Sequence, residues 1–149
     1  MPNLTNTEIV PIFSGGGTRL SCYIGILQAL LDMGFVFRHL VGVSGGSIVA
    51  ALYAAGWSLT DIKALALQTD FKQFWSFSFS SLLRSGGLCN GNKLEAWLDK
   101  QLQGLTFAQL PYDLHILATD INGGGPVVFN RLKTPQLKVS KAVRFSMSI

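Results

Sequence analysis

The sequence predicts an α/β fold in which a parallel or mixed sheet is covered by helices on both faces. Candidate strands alternate with candidate helices along the chain, and this order is typical of such sheets. Two glycine-rich turns each follow an apolar strand candidate. With 149 residues, 48% of them hydrophobic and only 13% charged, the chain has enough apolar side chains to build the core of a single domain.

The first half of the chain predicts two strand–helix pairs. Residues 8–13 form an apolar strand candidate, and apolar residues then recur at helical spacing over residues 20–31 before a stop at Gly34. Residues 35–43 predict a second strand, and the small apolar residues 47–55 predict a short helix after it. Because the carboxyl ends of parallel strands lie at one edge of a sheet, the turns after both strands are expected to meet there.

Capping patterns predict the next two helices. Ser58 with Asp61 is expected to cap one helix, and Asn92 with Glu95 to cap another that stops at Gly104. A serine, threonine or asparagine three residues before an acidic residue satisfies backbone N–H groups that the first helical turn leaves free.

The last part of the chain predicts a hairpin. Thr106 and Gln109 indicate a one-turn helix, after which residues 114–118 form a third strand. Residues 127–129 are its expected partner across the glycine-rich turn at 123–126.

The charge distribution favours no nucleic-acid partner. The net charge is +4 and the isoelectric point is near 9.3, which would assist approach to an anionic phospholipid surface. The basic residues are scattered, however, with one concentration over residues 131–144. The N-terminus has neither a basic nor a long apolar leader segment, so we expect a cytoplasmic protein, or one exported without a signal peptide, that does not span the membrane.

Metal and cofactor chemistry is not expected either. Cys22 and Cys89 belong to no metal-binding motif, and the chain has only two histidines. Cys22 is predicted to be a small buried residue of the first helix.

Ser44 is the strongest candidate for a catalytic residue. It lies in Gly42-Val43-Ser44-Gly45-Gly46, a Gly-x-Ser-x-Gly pattern between a predicted strand and a predicted helix. Such a turn projects a serine hydroxyl away from the sheet at a helix N-terminus, where backbone N–H groups stabilise negative charge. A glycine- and serine-rich turn without a catalytic role is the alternative.

A second glycine-rich loop, Ser14-Gly15-Gly16-Gly17-Thr18-Arg19, follows the first strand. Its consecutive glycines expose backbone N–H groups to an anion, either a phosphate or the oxyanion of an acyl-transfer intermediate. No lysine follows as in a P-loop, so phosphate binding ranks below the oxyanion.

These paired motifs resemble the patatin-like phospholipase family, which has a G-G-G-x-R oxyanion loop and a G-x-S-G-G-S nucleophile turn. Further similar segments follow in order at Ala118–Asn122 and Ala142–Ile149. The resemblance implies a lipid acyl hydrolase with Ser44 as nucleophile, acting on phospholipids or other acyl esters and requiring no cofactor. It also implies an oxyanion site at Gly15, Gly16, Gly17, Arg19 and Gly45, although Arg19 would equally serve as an ion-pair or helix-packing residue.

One departure from the family pattern concerns the proton acceptor. The family uses a Ser–Asp dyad whose aspartate lies in an Asp-Gly motif, and this chain contains no Asp-Gly dipeptide. The chain is therefore expected to be one patatin-like domain, residues 1–149, truncated before that segment and inactive alone. The alternative is a catalytically inactive lipid- or partner-binding fragment.

The remaining candidates are weaker. His39 is predicted at the start of a strand, at the end opposite to Ser44. His115 is expected to be a core histidine with a hydrogen-bond partner. With Asp70 or Asp99 between it and Ser44, His115 would formally give the Ser…Asp…His order of an α/β-hydrolase. Asp120 is expected to bond its own backbone at a turn. Aromatic residues between positions 71 and 83 predict either core packing or a wall that contacts acyl chains or a membrane.

Overall fold

The computed structural model describes residues 6–15, 20–70, 74 and 91–148. Its mixed four-stranded sheet confirms the predicted α/β class. The strands are β1 (Ile12–Phe13), β2 (His39–Val43), β3 (Asp113–Asp120) and β4 (Gly125–Phe129), and the helices are α1 (Leu20–Asp32), α2 (Gly46–Ala54), α3 (Leu59–Gln68), α4 (Asn92–Gln101) and α5 (Val139–Met147), with a 3₁₀ turn at Phe107–Gln109.

The strand order within the sheet is β1-β2-β3-β4. Strands β1 and β3 both run parallel to β2, and Phe13 pairs with Gly42 while Val43 pairs with Leu117. The carboxyl ends of three strands therefore share one edge, as the sequence predicts. Strand β4 runs antiparallel to β3, which confirms the predicted hairpin.

Helix α2 is the centre of the core. Eight of its nine residues are buried, because small side chains let it pack closely on the sheet. Leu40 and Gly42 of β2 and Leu114 and Ile116 of β3 are buried on alternate positions, the period expected where one face of a strand meets the core.

The first strand is shorter than predicted. Only Ile12 and Phe13 belong to the ladder, and before them a single bridge joins Glu8 to Val36. Pro11 lies between the bridge and the ladder and has no N–H to donate, so the pairing is interrupted there.

The predicted cap of α3 is present. Ser58 precedes α3, and its hydroxyl accepts from the backbone N–H of Asp61 at 3.1 Å. The predicted Asn92 cap is wrong, because α4 begins at Asn92 with Gly91 in the capping position. The Glu95 carboxylate instead forms an ion pair with Arg144 of α5 at 3.3 Å, a contact between two helices.

The prediction that Cys22 is buried is also wrong, since the residue is exposed. Helix α1 is apolar on nearly every side, and Ile26 is likewise 53% exposed. Such a sequence does not identify which face meets the core. In the part of the chain that the structure describes, no helix combines the length and hydrophobicity needed to cross a bilayer.

Asp99 of α4 binds two residues at the start of α5, and this contact makes the stability of the fold depend on pH in the acidic range. Its carboxylate accepts from Lys138 Nζ and from Ser140 Oγ, each at 2.8 Å. The Lys138 hydrogen bond holds the pKa of Asp99 below the ordinary value of an aspartate. Since the folded pKa is lowered, this stabilisation is present above the unfolded pKa and is lost as pH falls through the folded pKa.

We therefore expect Asp99→Asn to flatten the dependence of the free energy of unfolding on pH below about 4. Urea unfolding of the full-length protein at several acidic pH values measures this slope. Lys138→Met, which removes the main cause of the lowered pKa, should reduce the slope in the same direction. Parallel pH profiles for the wild type and Asp99→Asn would contradict the assignment.

Candidate active site

Ser44 lies in the turn between β2, which ends at Val43, and α2, which begins at Gly46. Its φ is +51°, a left-handed conformation that costs a non-glycine residue roughly 1–2 kcal/mol because Cβ crowds the backbone. Strained backbone of this kind is concentrated at functional sites. The sharp strand–turn–helix corner predicted from the sequence is therefore present, with a half-buried serine at its apex.

The glycines on either side of Ser44 are required by close packing. A Cβ at Gly42 would lie 2.6 Å from Cα of Ser47. A Cβ at Gly46 would lie 2.5 Å from the carbonyl oxygen of Phe13. Both obstacles are backbone atoms that cannot rotate away, so only glycine allows α2 to approach β1 and β2 this closely.

Four hydrogen bonds, three of them made by hydroxyl groups, hold the backbone of this turn. Ser47 donates both its N–H, at 2.9 Å, and its hydroxyl, at 2.5 Å, to the carbonyl oxygen of Ser44. The N–H of Ser44 donates to Ser146 Oγ at 2.7 Å, and the Ser146 hydroxyl donates to the carbonyl oxygen of Leu117 at 2.5 Å. Both backbone polar groups of Ser44 thus have partners.

The N-terminus of α2 directs backbone N–H groups toward the turn. Gly45 is the capping residue, and its carbonyl oxygen accepts from the N–H of Ile48 at 3.2 Å. The first N–H groups of a helix have no partner within the helix, and the aligned peptide dipoles add partial positive charge there. A helix N-terminus of this kind favours negative charge in general.

Gly15 lies directly beside Ser44. A Cβ built on Gly15 would be 3.6 Å from Cβ of Ser44 and 4.0 Å from its Oγ. Because β1 and β2 are parallel, the loop after β1 and the turn after β2 emerge at the same edge of the sheet. The structure brings these two sequence-predicted residues together, whereas Gly16, Gly17 and Arg19 lie outside the described residues.

Tyr23 of α1 holds the start of this loop. Its hydroxyl donates to the carbonyl oxygen of Ser14 at 2.8 Å, and its ring packs edge-on against Phe13 with ring centroids 5.4 Å apart. The contact fixes the backbone of Ser14 immediately before Gly15.

The two histidines have other roles. Nδ1 of His115 lies 3.2 Å from the amide nitrogen of Asn130, whose amide oxygen accepts from the N–H of Lys133 at 2.8 Å. The amide orientation makes Nδ1 of His115 the acceptor. The histidine thus has a partner as predicted, but it is half-buried and not a core residue. His39 begins β2, at the opposite end from Ser44, and contacts Asp113 at 3.7 Å.

The described acidic candidates are also engaged elsewhere. Asp120 accepts from the N–H of Asn122 at 2.9 Å, which is the turn contact that the sequence predicts. It follows Leu117, the last residue of β3 that pairs with β2, by three residues, about 10 Å along the strand. Asp99 is bound between Lys138 and Ser140.

The predicted aromatic stretch falls mostly on residues that the structure does not describe. Within the described residues its representative is Phe74, whose ring packs against Trp97 with centroids 5.2 Å apart. No group of three His, Cys, Asp or Glu side chains among the described residues is close enough to hold a metal ion.

Sequence reasoning assigns no role to three side chains of this site. Ser47 counts only as the last residue of the G-x-S-G-G-S turn and the first of a short apolar helix, and Tyr23 only as one of the residues that recur at helical spacing in the first helix. Ser146 contacts Ser44 across 102 residues of chain. Only its position in the segment that resembles the family marks Ser146 at all, since no local spacing relates it to Ser44.

Curated relatives are similar over most of the chain. A protein of Acanthamoeba polyphaga mimivirus is 30% identical over 148 residues, which cover 91% of this chain and 50% of that protein. YqhO of Bacillus subtilis is 30% identical over 158 residues, which cover 93% of this chain and 54% of YqhO. The chain thus spans about half the length of these relatives.

A third relative is the patatin-like phospholipase domain-containing protein 6 of Homo sapiens. It is 30% identical over 122 residues, which cover 73% of this chain and 8% of that protein.

Two solved structures share the fold. The effector ExoU of Pseudomonas aeruginosa, crystallised with SpcU, superposes with a TM-score of 0.72 at 23% identity over 95% of this chain and 38% of ExoU. VipD of Legionella pneumophila superposes with a TM-score of 0.67 at 16% identity over 98% of this chain and 42% of VipD.

A sequence model described as patatin-like phospholipase matches residues 12–149. The match includes both glycine-rich turns and every described strand and helix. The chain therefore belongs to the patatin-like phospholipase family.

Proposed function

We propose that the protein is a serine lipid acyl hydrolase of phospholipase A type, with Ser44 as its nucleophile. The observation that carries this proposal is the approach of Gly15 to Ser44, whose hydroxyl oxygen lies 4.0 Å from the Cβ position of Gly15. In this proposal the turn at Ser44 supplies the hydroxyl, and the loop that starts at Gly15 supplies backbone N–H groups. Membership in the family favours an acyl-ester lipid as the substrate.

The proposed reaction has two stages. Ser44 Oγ attacks the ester carbonyl carbon and the carbonyl oxygen becomes an oxyanion, which the N–H of Gly45 and those of the loop Gly15–Gly17 stabilise. Collapse of this intermediate expels the lipid alcohol, and water then releases the fatty acid from the acyl-serine. Removing one such donor typically slows acyl transfer about 100- to 1,000-fold.

The proton of Ser44 needs an acceptor. His39, Asp99 and Asp120 are engaged elsewhere or lie away from Ser44. The family resemblance assigns the role to an aspartate in an Asp-Gly segment, and the chain has no such dipeptide. In this proposal the aspartate comes from outside these 149 residues, and Arg19 belongs to the loop that surrounds the oxyanion.

The test is covalent labelling of Ser44 in the full-length protein with a fluorophosphonate probe. We expect one labelled serine, and we expect Ser44→Ala to lower both labelling and phospholipid hydrolysis by at least about 1,000-fold, since the neighbouring hydroxyls of Ser47 and Ser146 are bound to backbone carbonyl oxygens. The reaction products, a fatty acid and a lysophospholipid, identify the bond that is cleaved.

Ser58→Ala is the matched control, because Ser58 caps α3 away from the site. Ser58→Ala removes a serine hydroxyl, and we expect the rate of labelling at Ser44 to stay unchanged. Equal hydrolysis by the wild type and Ser44→Ala would end the proposal. A wild type that binds phospholipid vesicles but is never labelled would favour the inactive lipid-binding alternative.

A further inference from the structure

The hydroxyl of Ser146 joins the candidate nucleophile to β3, one of the two inner strands of the sheet. It accepts from the N–H of Ser44 at 2.7 Å and donates to the carbonyl oxygen of Leu117 at 2.5 Å. Val43 and Leu117 form the last pair of the β2–β3 ladder. Ser146 therefore bridges the two strands at the point where the chain leaves β2 and turns into α2.

We propose that Ser146 is a positioning residue that fixes the direction of the Ser44 hydroxyl; this inference rests on the proposed function. The backbone of Ser44 has φ +51°, a conformation that persists only where its surroundings enforce it. Ser47 holds the carbonyl side of Ser44, and Ser146 holds the N–H side. Together they determine where Cβ of Ser44 points.

Ser146 is itself held by a well-anchored helix. Val139, Ala142 and Val143 of α5 are completely buried. The same helix is tied to α4 by the hydrogen bond from Ser140 to Asp99 at 2.8 Å. Since its helix is fixed at several points, Ser146 provides a rigid reference for the turn.

The hydrogen bond to Ser146 also determines which backbone N–H groups of the turn are available to an oxyanion. The N–H of Ser44 points at Ser146 Oγ, so it does not face an oxyanion. In the proposed function, the oxyanion is therefore bound by N–H groups after Ser44, of which that of Gly45, the capping residue of α2, is the next along the chain. Loss of the Ser146 hydroxyl would release the Ser44 N–H and let the turn reorient.

The first test measures acylation of the full-length protein by the fluorophosphonate probe and by p-nitrophenyl butyrate. We expect Ser146→Ala to lower the acylation rate and kcat roughly 10- to 100-fold with KM unchanged, because a displacement of about 1 Å in the nucleophile has an effect of this size and Ser146 does not touch the substrate. Ser146→Thr retains the hydroxyl and should restore the rate to within about threefold of the wild type.

Ser140→Ala is the matched control for a merely structural effect. It removes a buried hydroxyl bond from the other end of the same helix. Both alanine variants should lower the melting temperature by a few degrees, but only Ser146→Ala should slow acylation below that temperature. Equal acylation rates for Ser146→Ala and Ser140→Ala would overturn the inference.

A second test does not depend on activity. Amide hydrogen exchange resolved at Ser44 reports directly whether its N–H has lost an acceptor, and we expect exchange about tenfold faster in Ser146→Ala and unchanged in Ser140→Ala. Unchanged exchange at Ser44 in Ser146→Ala would refute the positioning role even if the enzyme is active. A wild type labelled at Ser44 with no effect of Ser146→Ala rejects this inference alone, whereas labelling that survives Ser44→Ala rejects the proposed function.

Discussion

Gly46→Ala is expected to destabilise the protein by roughly 3 kcal/mol or more and to slow acylation at Ser44 more than about 100-fold. The added Cβ would lie 2.5 Å from the carbonyl oxygen of Phe13 and 2.7 Å from its carbonyl carbon. These are backbone atoms of β1, so α2 must move away from the strand. Because α2 is buried on nearly every side, the shift would disturb the core and separate Ser44 from Gly15.

Urea unfolding and fluorophosphonate labelling of the full-length protein measure the two effects of Gly46→Ala. Gly25→Ala is the matched control, since a Cβ there meets no atom of the described residues within 4 Å apart from its chain neighbours and the backbone of its own helix. Gly25 is an exposed position of α1, where alanine should stabilise the helix by about 0.5–1 kcal/mol. If Gly46→Ala were as stable and as reactive as the wild type, the tight packing of α2 on β1 would be wrong.

Ser44→Gly should eliminate acylation and at the same time stabilise the fold. Glycine adopts φ +51° without the crowding that a Cβ causes, and this relief outweighs the greater freedom of glycine in the unfolded chain. We expect the free energy of unfolding to rise by roughly 0.5–1 kcal/mol, while labelling falls by at least about 1,000-fold. This result would mean that the protein retains a strained serine where glycine would be more stable.

Comparison with Ser44→Ala separates strain from chemistry. Alanine also lacks the hydroxyl but keeps a Cβ, so its free energy of unfolding should stay within about 0.5 kcal/mol of the wild type. Denaturant unfolding of the three proteins therefore gives an order, with Ser44→Gly most stable. A Ser44→Gly protein less stable than Ser44→Ala would show that the left-handed turn is not strained.

Local patterns predicted the parts of the site that lie close together in sequence. The turn around Ser44 follows from glycines at fixed offsets between an apolar strand and a helix. The Ser58 cap and the β3–β4 hairpin follow from similarly short-range rules. The meeting of Gly15 with Ser44 follows from one further step, the rule that parallel strands end at a common edge.

The same short-range patterns could not predict contacts between segments that are distant in sequence. Ser146 reaches Ser44 from a helix near the other end of the chain, and the periodicity of that helix says nothing of its partner. Glu95 fits a capping pattern, yet Arg144 binds it instead. Cys22 was misplaced because α1 is too uniformly apolar to reveal its buried face.

The enclosure of α2 affects how a lipid would meet the serine. A helix packed on nearly all sides opens only when most of the molecule unfolds, so the hydroxyl at its start is confined to rotations of its own side chain. In the proposed reaction, the ester carbonyl of a lipid would therefore have to reach a hydroxyl whose backbone stays in place. Delivery of the acyl chain, rather than movement of the serine, would then govern how turnover responds to the physical state of the lipid.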